Sequence, residues 1–237
     1  MDIHVRLSAA AIRWLYITVI MADLLFILMT AAAGLDVSFI PDALLLQCDL
    51  RREGVLSAWY SSVLLLVNSM ACMFVMSRRQ ERSWRGTWLV VALGLLMLSA
   101  DETAELHERL GVKIDHLGFG AGYVPSKAPV FNWLMPAIPI AVVFGWALVV
   151  ASRFWAETHP RSRRLALAGL ACWVGVLVTE FVESQMVRQG MRRSLQAMTE
   201  EGLELAGSTL FLIAFLEYLR ASSQSPSAIV SGADEGT

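Results

Sequence analysis

Charge is what this chain has least of. Only 17% of its 237 residues are Asp, Glu, Lys or Arg, against about 25% in ordinary soluble domains. Set beside 56% apolar residues, that scarcity argues against a soluble enzyme and against a nucleic-acid binder, which needs clustered Lys and Arg to neutralise phosphates; the net charge of -2 by itself says little about partners. Scarce charge also excludes a disordered chain, whose composition is polar and charged. Cysteine is scarce too: Cys48, Cys72 and Cys172 are too few and too scattered for a disulfide framework. No strand-loop-helix context or Lys-Ser/Thr pair accompanies the glycines at Gly118, Gly120 and Gly122, so no nucleotide loop is expected. His107 and His116 are too close in sequence to grip a haem between facing helices, and no haem is expected either.

What the chain has instead is apolar residues, 56% of the total, with a mean hydropathy of +0.56. They fall in blocks, roughly Ile12–Ala33, Ser57–Met76, Gly86–Leu110, Phe131–Ser152, Leu165–Gln185 and Gly202–Leu219. Each block approaches the ~20 residues that a helix needs to cross about 30 Å of hydrocarbon. The expected fold is all-α, a polytopic membrane protein with a bundle of six transmembrane helices over residues 1–220. The Ser-, Ala- and Gly-rich stretch 221–237 reads as a disordered tail. The small-residue run at Ala31–Gly34 resembles a signal-peptide cleavage site, but the apolar run before it is long and contains Asp23; it reads as an uncleaved first helix.

Arginines mark the helix ends on one side. Arg78, Arg79, Arg85, Arg153, Arg163 and Arg164 all flank apolar blocks on the side shared by the two termini. The positive-inside rule then places both termini in the cytoplasm and the protein in the cell's inner membrane. Trp14, Trp84, Trp88 and Trp155 are expected at the inner interface, and Trp59, Tyr60 and Trp133 at the outer one. Most of the acidic residues gather on the opposite, outer side.

Depth counting aligns three of those acids. Arg85 to Asp101, Arg164 to Glu180 and Arg220 back to Glu204 are each about 16 residues apart, or roughly 24 Å of helix. One turn further out come Glu105, Glu183 and Glu201. Asp101 and Glu105 are four apart, and Glu180/Glu183 and Glu201/Glu204 three apart, so each pair shares a helix face. Carboxyls inside a bilayer are costly, and must face the bundle interior, pair with cations or hold protons.

Several readings stay open. Arg109, Arg188, Arg192 and Arg193 are close enough in sequence to build a carboxylate–arginine network that only organises helices, as in a non-catalytic subunit among other membrane subunits. Alternatively, Asp101, Glu105, Glu180, Glu183 and Glu204, with Glu102, Glu108, Glu201 and His107 as second choices, form an outward-facing divalent cation site. The pairing partly resembles ferritin-like bundles, but no Glu-x-x-His is present, and His107 points about 200° away from Glu105. A site made mostly of oxygens suits Mg²⁺, Ca²⁺ or Mn²⁺ better than iron. A third reading is a membrane enzyme or proton-coupled carrier using a protonated carboxyl on a lipid or isoprenoid substrate. Glu200 and Glu201 also fit simple stabilisation of a helix N-terminus after Thr199. Asp23, near mid-bilayer, is either functional or hydrogen-bonded to Asn68 or Ser69.

Overall fold

The computed structural model describes residues 8–35, 39–52, 54–77, 82–106, 109, 142, 144–150, 159–188 and 194–224. Those residues are helical or in short connections, with no strand among them. Five long helices are α1 (Ala9–Gly34), α3 (Leu56–Ser77), α4 (Arg82–Ala104), α5 (Pro160–Arg188) and α6 (Ser194–Gln224); a short α2 (Asp42–Cys48) lies between α1 and α3. All five long helices are apolar enough and long enough to cross a membrane, which supports a multi-pass membrane protein. The apolar block Phe131–Ser152 lies largely outside the described residues, of which 144–150 are helical.

Helix α1 shows why these segments are helices that suit lipid rather than water. Its residues are apolar all round, with no polar stripe. Ser8 caps its start, accepting a hydrogen bond from the Ala11 N–H at 3.1 Å. Trp14, Leu24, Leu25 and Leu28 stand exposed on its surface. In contrast, α6 packs against α1, α3 and α5 and is the most enclosed of the helices.

Hydroxyls and glycines set the pairings, since burial of apolar area gives little drive between helices in lipid. Antiparallel α3 and α4 are joined by Ser62 Oγ to the Ser99 carbonyl (2.7 Å), Ser99 Oγ to the Ser62 carbonyl (2.8 Å) and Ser69 Oγ to the Ala92 carbonyl (2.7 Å). Helices α5 and α6, also antiparallel, touch backbone to backbone: a Cβ on Gly169 would come within 2.9 Å of the Gly207 carbonyl oxygen. Trp173 fills the notch above Gly207, where an added Cβ would meet it at 2.5 Å. At the far end of that pair Ser162 Oγ donates to the Ala214 carbonyl at 2.6 Å.

These contacts fix directions. Helices α1, α4 and α5 start at one end of the bundle, and α3 and α6 finish there; it carries Arg13, Arg85, Arg161, Arg163 and Arg220. We refer to it as the basic end, and to the other, with Asp49, Asp101, Glu102 and Glu200–Glu204, as the acidic end.

Several expectations are corrected. Trp88 is not an interfacial aromatic: it is fully buried, its ring edge-on to Phe215 at 6.4 Å, because its face of α4 turns inward. Tyr60 likewise points into the bundle rather than to an interface, bonding Asp23. Helix α4 stops at Ala104 instead of Leu110, and α6 begins at Ser194 and runs past Leu219 to Gln224.

Candidate functional site

Two helices bring carboxyls together at the acidic end. The last turns of α4 carry Asp101 and Glu102, and the first third of α6 carries Glu200, Glu201 and Glu204. Glu102 and Glu204 are hydrogen-bonded to each other, and the charges of Glu201 and Glu200 bear on Glu204 as well. Both partners are half-buried. A hydrogen bond between two carboxyl groups requires a proton on one of them, because ionised carboxylates only accept. Depth counting matched Glu204 with Asp101; the hydrogen bond goes to Glu102, about 100° further round α4. Asp101 itself is half-buried.

Neighbouring contacts hold the pair. Gln196, two turns before Glu204 on α6, donates through Nε2 to the Thr179 carbonyl of α5 at 2.6 Å, pinning the start of α6 to α5. The same nitrogen lies 3.5 Å from Glu200 Oε2. Glu200 and Glu201 are not at a helix terminus: α6 starts at Ser194, so Thr199 is interior and no N-cap. The helix-end explanation for these two acids therefore fails, because the dipole's effect falls off within the first turn.

Glu105 is separated from the pair by a break in the backbone. It sits just past α4 in the left-handed region at φ 51°, where its N–H still bonds the Asp101 carbonyl at 2.8 Å. That conformation at the end of a helix ordinarily belongs to Gly. Its carboxylate faces Arg109 at 3.8 Å, an exposed pair that contributes little. Asp101 and Glu105 thus do not form the two rungs of one continuous helix. The side chains of Glu180 and Glu183, together with His107, Glu108, Arg192 and Arg193, lie outside the described residues. Among the described residues no group of three or more His, Cys, Asp or Glu could hold a metal ion.

A second carboxyl sits deeper. Asp23 of α1, almost fully buried, accepts from Thr209 Oγ1 of α6 at 2.6 Å and from the Tyr60 hydroxyl of α3 at 2.7 Å. The expected partners are otherwise engaged. Asn68 donates to the Leu64 and Ser208 carbonyls, and Ser69 to Ala92. Nothing in the spacing of the sequence pointed to Thr209, 186 residues away.

Outside the spans, Asp49 follows α2. Burial alone would raise its pKa, but hydrogen bonds from the Arg51 side chain and N–H, and the charges of Arg51 and Arg52, hold the carboxyl below its ordinary 3.8. Thr30 and Ser57 complete this corner, Thr30 Oγ1 accepting from the Leu50 N–H and Ser57 Oγ donating to the Asp49 carbonyl. It ties α1, α2 and α3 together, with the Asp49 carboxylate taken up by Arg51 and Arg52.

Residues 12–219 match the family described as a domain of unknown function, DUF8692. The chain belongs to that family. The span that DUF8692 covers starts inside α1 and ends inside α6, so it takes in the Glu102–Glu204 pair and Asp23. Among curated proteins and solved structures, none matches the chain.

Proposed function

We propose that this is an inner-membrane protein that binds and releases a proton at the Glu102–Glu204 pair, at the acidic end of the bundle. The observation that carries this reading is the hydrogen bond between two carboxyls on different membrane-spanning helices, with Glu200 and Glu201 adding negative charge. Like charges in contact favour sharing one proton over two ionised groups. A shared proton is a coupling device: losing it leaves two carboxylates that repel, which separates α4 from α6. That chemistry suits a proton-coupled carrier or an acid catalyst more than a metal centre.

Six crossings complete the proposal. Helices α4 and α5 run the same way, so the chain leaving α4 at the acidic end must return to the basic end before α5 begins. Residues 144–150 stand on that return, with Phe144 seated against Gly94 at mid-α4 and Ala147 and Leu148 buried. Both termini then lie on the arginine-rich side, in the cytoplasm by the positive-inside rule.

Infrared difference spectroscopy of the protein in lipid, stepped through pH, tests the proton site. The expected result is a protonated-carboxyl C=O band that titrates and is lost in both Glu102→Gln and Glu204→Gln. Absence of the band overturns the reading. A carboxylate band that shifts with Ca²⁺ or Mg²⁺ and reverts with EDTA would replace it with the divalent cation site.

A further inference from the structure

A cavity of about 190 Å³ opens at the basic end, between the first turns of α1, the start of α5 and the end of α6. Its lining is Ile12, Arg13, Tyr16, Arg161, Glu217 and Arg220. Glu217 is buried at 8% exposure and organises the wall. It takes the Tyr16 hydroxyl at 3.3 Å, Arg220 at 3.3 Å and Arg161 at 3.9 Å. Two guanidiniums thus share one carboxylate, and Arg13 adds a third guanidinium to the same lining. Among the described residues Arg13 has no ion-pair partner, and its side chain is exposed at the rim. The lining thus holds three guanidiniums against one carboxylate.

Position says which anion belongs there. The cavity lies where three spanning helices leave the apolar zone, and Trp14, Leu15 and Ile17, next to Arg13 on α1, are exposed apolar residues. A ligand with an anionic head and apolar tails would place its head among the arginines and its tails along α1. Basic pockets between membrane helices bind anionic headgroups through this combination, and guanidiniums match phosphate oxygens in pairs. We propose that this cavity binds the phosphate of an anionic phospholipid, with Arg13 and Arg161 as the principal contacts and Glu217 holding Arg161 and Arg220 in place. The site is independent of the Glu102–Glu204 pair, which lies at the opposite end of α6.

Native mass spectrometry of the full chain in neutral detergent, supplied with phosphatidylglycerol, phosphatidylcholine or inorganic phosphate, tests it. Phosphatidylglycerol should be retained over phosphatidylcholine. Retention should weaken about fivefold for each arginine removed in Arg13→Gln and Arg161→Gln, with melting in phosphatidylcholine unchanged. Equal retention of the two lipids, or equal retention by the Arg13→Gln/Arg161→Gln chain, overturns the proposal. Inorganic phosphate bound as tightly as phosphatidylglycerol overturns the lipid assignment.

Discussion

Glu105 and Asp49 are the two residues whose local chemistry makes the sharpest demands. Glu105 holds a left-handed backbone conformation at φ 51°, which costs an L-residue with a Cβ about 1–2 kcal/mol. Its ion pair with Arg109 is exposed and offsets about 0–1 kcal/mol at most. Glu105→Gly should therefore leave the melting temperature unchanged or raise it. Glu105→Val, β-branched and ill-suited to positive φ, should destabilise by about 1–2 kcal/mol. A thermal melt of the two variants side by side checks this; a Val variant as stable as the Gly variant would show that the turn is not held.

Asp49 gives the pH dependence. Its carboxyl is held below 3.8 by Arg51 and Arg52, so the folded state releases its proton more readily than the unfolded chain does. The stability it contributes is fully present above 3.8. It is lost as pH falls below that value through the lower folded-state pKa. Asp49→Asn should cost about 1.5–3 kcal/mol at neutral pH, the range for hydrogen bonds to a charged group. It should also flatten the acid limb of the stability profile, measured by denaturation between pH 5 and 2.

Helix pairing depends on small residues at few points. Where Gly207 meets Gly169 and Trp173, a larger side chain has no space without prising α5 from α6. Gly207→Leu should destabilise by about 1–3 kcal/mol through overpacking, or more if Trp173 cannot turn away. Gly86, on an exposed face of α4 with nothing within 4 Å of an added Cβ, is the control. Gly86→Ala should gain about 0.5–1 kcal/mol from helix propensity. A melting series of both in one detergent separates close packing from a general intolerance of substitution. Element boundaries were only partly legible beforehand. Apolar runs located the helices, but α6 extends about two turns beyond its run into Gln196, Glu200 and Glu201. Those polar residues continue the helix because Gln196 finds a partner on α5, which no window of local hydropathy contains.

For the whole molecule, the first question is which way the bundle sits in its membrane. A single cysteine introduced by Ser126→Cys, in a chain with Cys48, Cys72 and Cys172 replaced by alanine, should be labelled by an impermeant reagent from outside intact cells. The reason is that the arginines at the helix ends gather on the opposite side. Labelling only after permeabilisation would invert the bundle and turn the Glu102–Glu204 pair toward the cytoplasm.

Composition and hydropathy by themselves determined that this chain is helical and suited to a bilayer, because the transfer free energy of a long apolar run is a sum over residues and needs no knowledge of neighbours. That Asp101, Glu102, Glu200, Glu201 and Glu204 stand toward one end of their helices was also legible, since rise per residue converts sequence distance into depth. Azimuth was not. Whether Glu204 meets Asp101 or Glu102 depends on how α4 is rotated about its axis, and that is fixed by Ser62, Ser69 and Ser99 packing against α3. The partners of Asp23 were illegible for the same reason: Tyr60 and Thr209 reach it only once α1, α3 and α6 are docked. Depth follows from the covalent chain and the solvent, whereas the direction a side chain faces follows from packing, and only the tertiary structure decides that.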